Sequence, residues 1–249
     1  MSAFGMERWK GKVAVVTGAS SGIGAAIVVH LAKAGMVVVG LARRVEMVEA
    51  LKSELPEDFK SHLHAIKCDV ANEEDIIKSF KWVEDKFGGV DALINNAGVA
   101  PKKEILKSSS QQLKEILDIN VMGLALCSRE GFQSMKKRSV DGHIIHINSI
   151  LGHHVINMPS LGIYPASKHA VTAITETMRH ELRTEGTKVK VTSISPGAVR
   201  SEMTKGLEHL GEFPFLEPED IADGVLYVLS TPPRVQVHEL MIKPAGEPF

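Results

Sequence analysis

The segment Lys12-Val-Ala-Val-Val-Thr17-Gly18-Ala-Ser-Ser-Gly22-Ile-Gly24 decides how the rest of the chain folds. Its first six residues are nearly all apolar and β-branched, which is typical of a strand buried on both faces of a parallel sheet. The glycines that follow allow a tight turn and a close approach of the backbone to a ligand. A helix over residues 25–34 then ends at Gly35. The order strand, glycine turn, helix predicts a diphosphate site at the helix N-terminus.

Strands and helices alternate along the rest of the chain. Apolar, β-branched runs predict further strands over residues 36–42, 63–68, 91–95, 142–148, 189–194 and 235–242. Helical periodicity fills the intervals, over residues 45–55, 76–87, 108–137, 162–183 and 218–229. No repeat, low-complexity tract or linker interrupts the series. The alternation predicts one α/β domain over residues 1–249, with a three-layer Rossmann-like fold and a doubly wound parallel sheet of about seven strands.

The composition argues against several classes of protein. The 249 residues carry a net charge of −1, and basic residues are interspersed with acidic ones, so nothing indicates a nucleic-acid partner. No apolar run approaches the length of a membrane span, and the N-terminus is too short and polar for a signal peptide. We therefore expect a cytoplasmic protein without stable membrane insertion. Isolated Cys68 and Cys127 indicate buried thiols, and the histidines lack metal-ligand spacing, so we expect no metal.

Residues 162–183 contain the pair of side chains best suited to acid–base chemistry. Tyr164 and Lys168 are four residues apart, so they project from one face of a helix. A cation about 4 Å from a phenolate contributes roughly 4 kcal/mol at an effective dielectric of about 20, which lowers the phenol pKa by about three units. The pair therefore predicts a general acid or base. The alternative is a chance spacing on an amphipathic helix.

Other polar side chains lie where predicted strands end, which is the edge at which ligands bind in doubly wound sheets. Asp69 contacts an adenine, caps the next helix, or does both. The Asn-Asn-Ala-Gly turn of residues 95–98 either lines a cofactor groove or is an ordinary Asn-rich turn. Ser149 is either an active-site hydroxyl or a turn former. Asn120 interrupts the apolar stripe of residues 108–137, so it either bridges two segments or holds ordered water.

The second strand ends where a dinucleotide's adenosine ribose is bound, a position that usually carries an acid in NAD-binding proteins. Here Ala42 is followed by Arg43 and Arg44, with no carboxylate before Glu46. Two guanidinium groups without a competing acid suit a 2′-phosphate, so the sequence predicts NADP(H), with Arg43 as the main contact. The alternative is a solvated basic pair at a strand end.

Taken together, these residues resemble the short-chain dehydrogenase/reductase family over essentially the whole chain. The matching positions, in the family's order, are Thr17, Gly18, Gly22, Gly24, Asp69, Asn95-Asn96-Ala97-Gly98, Asn120, Ser149, Tyr164, Lys168 and Pro196-Gly197. The resemblance implies that Tyr164 is the acid/base and that Ser149 orients the substrate oxygen. It also implies that Lys168 lowers the Tyr164 pKa and holds the nicotinamide ribose, while Asn120 anchors a water in a proton relay.

The resemblance further implies which residues hold NADP(H). The expected set is Thr17, Gly18, Ser20, Ser21, Gly22, Ile23, Gly24, Arg43, Arg44, Asp69, Val70, Asn96, Ala97, Gly98, Tyr164, Lys168, Pro196, Gly197, Val199 and Ser201. The family's usual arginine inside the glycine turn is absent, since Ser21 stands there, which gives Arg43 more weight.

Within the family, segments such as Asp141-Gly-His-Ile-Ile-His-Ile-Asn-Ser149 are similar to the farnesol dehydrogenase-like and dehydrogenase/reductase member 11-like groups. That similarity implies an apolar alcohol or carbonyl substrate, an isoprenoid alcohol such as farnesol or a steroid. Apolar residues near the serine suit such a ligand, although they would equally suit the core or a subunit interface: Ile150, Leu151, Val155, Ile156, Met158 and Leu161.

Other readings and partners follow from the C-terminal part. Residues 200–217 are polar and interrupted by glycine and proline, and we interpret them as a substrate lid. Arg200 and Lys205 in that lid, with the C-terminal tail, keep open a dehydrogenase of small 3-hydroxy acids. A third alternative is an NADPH-binding sensor that performs no chemistry. Members of the family are commonly dimers or tetramers, so the resemblance implies a homo-oligomer.

Overall fold

The computed structural model describes residues 5–100, 103–157, 160–205 and 214–247. Seven strands form one sheet in the order β3-β2-β1-β4-β5-β6-β7, with every neighbouring pair parallel. The strands are β1 (Val13–Thr17), β2 (Val37–Ala42), β3 (Leu63–Lys67), β4 (Ala92–Asn95), β5 (His143–Ile147), β6 (Lys190–Pro196) and β7 (Glu239–Ile242). The predicted fold class and all seven predicted strands are confirmed.

Strand β1 lies at the centre of the sheet, between β2 and β4. The chain winds outward from β1 to β3 on one side, then returns to β4 and winds outward to β7 on the other. Since all strands are parallel, their carboxyl ends share one edge of the sheet. The glycine turn after β1 therefore lies at the point where the strand order reverses, which is where such sheets bind ligands.

The helices cover both faces of the sheet. They are α1 (Gly22–Lys33), α2 (Val45–Ala50), α3 (Glu57–Lys60), α4 (Glu73–Phe87), α5 (Ser110–Leu117), α6 (Leu124–Lys137), α7 (Tyr164–Thr184) and α8 (Pro218–Ser230). Residues of β1 alternate between two cores: Ala14 and Val16 face the side of α1 and α8, whereas Val13 and Val15 face the side of α4, α6 and α7. This double burial explains why residues 13–16 of β1 are all apolar.

The single long helix predicted over residues 108–137 is wrong in one respect. Helices α5 and α6 are separated by a π-helical turn, Asp118–Gly123. Gly123 ends this turn against the loop after β3, where an added Cβ would lie 2.6 Å from the carbonyl O of Val70. Periodicity cannot reveal the extra residue, because the same apolar stripe resumes on either side of it.

The segment interpreted as a lid is described only at its two ends. Val199 and Leu216 form an isolated parallel bridge, and Arg200 Nε donates to Glu217 Oε1 at 2.9 Å. Residues 206–213 of the predicted lid lie outside the described residues. The two described ends are thus held close together at the base of this segment.

Gly24→Ala tests the packing of the glycine turn. A Cβ at position 24 would lie 2.2 Å from the carbonyl O of Gly18 and 2.5 Å from Nδ2 of Asn96. We expect the free energy of unfolding in urea to fall by about 1–3 kcal/mol, the range seen for overpacked sites. Gly5→Ala is the matched control, since its Cβ would meet no atom within 4 Å. Equal stability of the two variants would contradict this account.

Candidate active site

A cleft of 540 Å³ opens at the carboxyl edge of the sheet, from the end of β2 across β1 and β4 to the start of α7. Most of the side chains and turns predicted to bind a cofactor line it. These are Gly18, Ser20, Ser21, Gly22, Ile23, Arg43, Arg44, Asp69, Val70, Asn96, Ala97, Gly98, Tyr164, Lys168 and Ser201. The parallel sheet thus brings residues that are up to 183 positions apart in the chain into one groove.

The floor of the cleft is made by the glycine turn and the turn after β4. Gly18 has a φ of +65°, and a Cβ there would lie 2.8 Å from Cα of Ala97. Asn96 Nδ2 donates to the carbonyl O of Thr17 (3.0 Å) and of Gly18 (3.1 Å). Thr17 Oγ1 in turn accepts from the backbone N–H of Asn96 and Ala97, at 3.0 Å each. The two turns therefore hold each other in place through Thr17 and Asn96.

The first turn of α1 begins at the cleft, which Gly22 and Ile23 line, and no side chain caps its backbone N–H groups. The turn contains no acidic residue that would compete with a bound anion. Unpaired amides at a helix N-terminus favour negative charge. The cleft therefore suits the diphosphate of a dinucleotide at this end, in agreement with the glycine pattern.

The two arginines at the end of β2 differ in their surroundings. Arg44 Nη2 donates to Glu202 Oε2 (3.0 Å) and to Ser21 Oγ (3.0 Å), and its Nη1 donates to Glu202 Oε1 (3.2 Å). Arg43, also exposed, has no hydrogen-bond or ion-pair partner within the part of the chain that the structure describes. Glu202, from a distant segment that also lines the cleft, therefore competes for Arg44. The prediction that no acid competes for this pair is wrong for Arg44.

Asp69 lines the cleft and also orders its own turn. Its Oδ1 accepts from the backbone N–H of Ala71 at 3.0 Å. The cap of α4 is Asn72, whose Oδ1 accepts from the N–H groups of Glu74 and Asp75. Of the two roles predicted for Asp69, the cap of α4 is provided by Asn72 instead, and Asp69 itself faces the cleft.

Asn120 lies in the π-helical turn, below the cleft. Its Nδ2 donates to the carbonyl O of Val99 (2.9 Å) and to Ser167 Oγ (3.0 Å), while its Oδ1 accepts from Val99 N–H (2.8 Å). Ser167 Oγ donates onward to the carbonyl O of Tyr164 at 2.7 Å. Both amide hydrogens are thus used within the protein. Of the two predicted roles, the bridge between segments is the one this geometry favours.

Tyr164 and Lys168 lie together at the inner end of the cleft. Tyr164 begins α7 and is only 9% exposed, and Lys168 one turn later is 5% exposed. Lys168 Nζ donates to the carbonyl O of Ile147 at 2.9 Å and lies 5.7 Å from the centre of the Tyr164 ring. Ser149 follows β5 and its Oγ accepts from Leu151 N–H at 3.1 Å. The structure therefore brings Ser149, Tyr164 and Lys168 together.

The pKa of Tyr164 is the opposite of the sequence expectation. Burial raises the pKa of Tyr164 to about 12, and a hydrogen bond from Ser149 acts in the other direction. Burial also lowers the pKa of Lys168 to about 8, so the ammonium is still mostly charged at neutral pH. The Lys168 cation favours the phenolate, but the loss of water around the buried phenol is the larger effect in this structure.

Apolar side chains pack around Tyr164. Ile150 and Leu151 are buried with it, and Ala100, Ile156 and Leu161 pack against them. Val155, predicted to join this group, is 75% exposed, and Met158 lies outside the described residues. An apolar cluster therefore lies beside the tyrosine at the inner end of the cleft.

Some predicted positions do not line the cleft, and others were missed. Thr17 and Gly24 act beneath the floor, and Pro196, Gly197 and Val199 lie to one side; Gly197 N–H donates to Ile242 O at 2.7 Å. Lining residues that sequence reasoning did not propose are Leu41, Ala42, Cys68, Val99, Ile119, Ile147, Asn148, Glu202 and Met203. Leu41, Ala42 and Ile147 are apolar strand ends, whose exposure to a cleft has no sequence signal.

Comparison with known proteins agrees with this geometry. Residues 12–210 match the model of the short chain dehydrogenase family. The chain belongs to the short-chain dehydrogenase/reductase family. It is an alcohol/carbonyl oxidoreductase of that family and acts on CH–OH groups. Members of the family use a nicotinamide cofactor.

Two curated relatives and one solved structure place the chain within this family of dehydrogenases. Farnesol dehydrogenase of Aedes aegypti is 67% identical over 98% of this chain and 100% of its own length. Dehydrogenase/reductase SDR family member 11 of Homo sapiens is 42% identical over 99% of both chains. The X-ray structure of an alcohol dehydrogenase from the archaeon Thermococcus sibiricus, complexed with 5-hydroxy-NADP, is 30% identical, with a TM-score of 0.83 and coverage of 94% and 97%. The group resemblance seen in the sequence is thereby confirmed.

Two negative findings concern the described residues of this dehydrogenase. None of their helices is long and apolar enough to cross a bilayer. The same residues contain no cluster of His, Cys, Asp or Glu that would hold a metal ion.

The buried Lys168 makes stability depend on pH in a defined direction. Its pKa is about 8 in the folded chain, against about 10.4 for a lysine in water. Between these values the unfolded chain binds more protons, so the free energy of unfolding rises with pH, and the cost of burying the charge is fully present only below the folded pKa. Between about pH 7.5 and about pH 9.5, we expect the wild type to gain about 2 kcal/mol relative to Lys168→Met.

Urea unfolding of the protein without cofactor, at the two pH values, measures this difference. Lys78→Met is the matched control, because the Lys78 side chain is 74% exposed and should show no such gain. Parallel curves for the wild type and Lys168→Met would mean that Lys168 titrates normally.

Proposed function

We propose that this dehydrogenase uses NADP(H) to interconvert an apolar alcohol and its carbonyl compound, with an isoprenoid alcohol of the farnesol type as the preferred substrate class and steroids as the next candidate. The observation that carries the proposal is the 67% identity to farnesol dehydrogenase across the whole length of both chains. The apolar cluster of Ile150, Leu151, Ile156 and Leu161 around Tyr164 supports it, since a hydrocarbon chain is best bound beside apolar side chains.

The cleft fits a nicotinamide dinucleotide on its own chemistry. The glycine turn leaves no room for a Cβ at Gly18 or Gly24, and the α1 N-terminus offers free amides without an acid. Gly18, Gly22 and Ile23 would hold the diphosphate, Asp69 and Val70 the adenine, and Lys168 the nicotinamide ribose. When bound, the cofactor exchanges a hydride with the substrate carbon. The residues of the chain position the cofactor and the substrate and transfer the proton.

Tyr164 would transfer the proton. With a pKa near 12 the phenol is fully protonated at neutral pH, so it is ready to donate to the oxygen of a carbonyl being reduced. In the oxidation direction the phenol oxygen must take up the alcohol proton. The Ser149 hydrogen bond and the nearby Lys168 charge both favour the anionic phenolate in that step.

Asn120 would act as a positioning residue. It ties Val99, on the cleft wall, to Ser167, whose hydroxyl bonds the backbone of Tyr164. Through this chain of hydrogen bonds the start of α7 is fixed relative to the turn after β4. The distance between the phenol and the cofactor groove is therefore set by a side chain that need not contact either ligand.

Tyr164→Phe tests the proposed acid. We expect turnover of farnesol with NADP⁺ to fall by about 10²–10⁴-fold, the usual contribution of a positioned acid or base, with cofactor binding kept. Reduced-nicotinamide absorbance measures turnover, and fluorescence of bound NADPH measures binding. Tyr227→Phe, at the second of the two tyrosines, on α8, is the matched control. Undiminished turnover in Tyr164→Phe would remove Tyr164 from the chemistry.

The same assay separates the candidate substrates. Farnesol, geraniol, a hydroxysteroid, serine and 3-hydroxybutyrate are compared with NADP⁺ and with NAD⁺. We expect turnover with the apolar alcohols. Turnover of a hydroxy acid with none of farnesol or the steroid would replace the apolar substrate by a small 3-hydroxy acid. Tight NADPH binding without turnover of any compound would favour a sensor.

The cofactor preference depends on Arg43 and is opposed by Glu202. Arg43→Ala should weaken NADPH binding tenfold or more and NADH binding little, since a charged hydrogen bond contributes about 1.5–3 kcal/mol. Glu202→Gln should strengthen NADPH binding several-fold, because it frees Arg44 from its carboxylate partner. Fluorescence titration gives both dissociation constants. An equal loss for NADPH and NADH in Arg43→Ala would contradict the preference for NADP(H).

A further inference from the structure

A second cavity, of about 420 Å³, lies at the opposite edge of the sheet from the active-site cleft. It opens beside the amino ends of β1, β4, β5 and β6, where Lys12, Asp91, His143 and Lys190 stand at or next to the first residue of each strand. Its size falls in the range of small-molecule sites. No step of the oxidoreduction uses it, so its chemistry calls for a separate explanation.

Cationic groups dominate the lining of this cavity. Five basic side chains line it, against two acidic ones: Arg8, Lys12, Lys188, Lys190 and Arg234 face Asp91 and Asp141. Asp91 is already neutralised, because its Oδ1 accepts from Arg138 Nη1 at 3.1 Å and its Oδ2 from Val13 N–H at 2.8 Å. Lys12, Lys188 and Arg234 are exposed and make no ion pair with any described residue. The cavity therefore has an excess of positive charge.

Two buried polar atoms in the lining have no protein partner among the described residues. His143, 1% exposed, uses Nε2 in a hydrogen bond with Thr192 Oγ1 at 2.9 Å, but its Nδ1 is unpartnered. Arg8 donates from Nη2 to Leu229 O at 2.8 Å, but its Nε is also unpartnered. Buried polar atoms are rarely left without a partner, because each costs free energy. Arg8 Nε can donate a hydrogen bond to an anion. Thr192 Oγ1 already donates to Val237 O, so His143 Nε2 is the donor in the bond with Thr192, and the neutral ring leaves Nδ1 as an acceptor for a protonated oxygen of a ligand.

The electrostatics of the buried groups point the same way. Burial first, then the charges of Lys190 and Arg8, lower the pKa of His143 to about 3. Burial first, then the charge of Arg8, also lowers the pKa of Lys190. Arg8 and Lys190 therefore place positive charge beside a neutral His143. A negative charge placed there would be attracted by both cations.

We propose that this cavity is a second ligand site, which binds a small phosphorylated metabolite through its phosphate group. Arg8 Nε is the inner donor, His143 Nδ1 accepts a hydrogen bond from a protonated phosphate oxygen, and Lys12, Lys188 and Arg234 supply charge at the rim. A phosphate group suits this set better than a carboxylate, since it carries up to two charges and has three acceptor oxygens for separate donors. The site lies apart from the active-site cleft and does not depend on the cofactor or substrate proposed above.

Isothermal titration with inorganic phosphate at constant ionic strength tests the proposal on the full chain. We expect Lys12→Gln/Lys188→Gln to raise the phosphate dissociation constant at least tenfold. Lys78→Gln/Lys81→Gln, which removes two exposed charges from α4, is the matched control and should change it less than twofold. Equal weakening in both double variants would mean that phosphate responds only to overall charge, and would overturn the site.

Two further measurements locate the bound phosphate. In Arg43→Gln the binding should persist; loss of binding in that variant would place the phosphate in the cofactor cleft instead. Nitrogen-15 resonances of the histidines should show a shift at His143 Nδ1 in the wild type during the titration. Saturation by phosphate without a shift at His143 would exclude this cavity as its site.

Discussion

The structure depends on one close contact, between the glycine turn after β1 and the turn after β4. Carbonyl groups of Thr17 and Gly18 are bonded by the Asn96 side chain, and no Cβ fits at Gly18 or Gly24. β1 and β4 are neighbouring strands, and the chain continues from them toward opposite edges of the sheet. This contact therefore fixes the distance between their two turns at the point where the strand order reverses. The groove beside this contact is lined by the start of α1, the arginines after β2 and the tyrosine of α7.

A second constraint concerns the inner end of that groove, where a phenol and an ammonium are both removed from water. The structure accepts the cost of burying Lys168, and offsets part of it with the carbonyl of Ile147. Burial raises the pKa of Tyr164 to about 12 and lowers the pKa of Lys168 to about 8, so two values that are nearly equal in free tyrosine and lysine move apart. At neutral pH the phenol therefore keeps its proton for donation, beside an ammonium that is still mostly charged.

The sequence was sufficient for whatever depends on local pattern. Strands such as β1 and β5 are buried on both faces, so their apolar runs are unambiguous, and the glycine turn and the Tyr164–Lys168 spacing carry their own chemistry. What could not be predicted depends on distance in space. Glu202 reaches Arg44 across 158 positions of the chain. The pKa of the Tyr164 phenol depends on how deeply it is buried. The unpartnered Nδ1 of His143 lies on a strand whose sequence pattern predicts only core positions.

The π-helical turn that carries Asn120 affects the directions in which the side chains of the flanking helices point. Each residue of an α-helix turns the chain by about 100°, so the wider turn at Asp118–Gly123 offsets the directions in which α5 and α6 present their side chains. Removal of one residue there would join the two into a regular helix and rotate one segment against the other by about that angle. Asn120 would then swing away from Val99 and Ser167. The length of this short turn is therefore as tightly specified as any side chain in the groove.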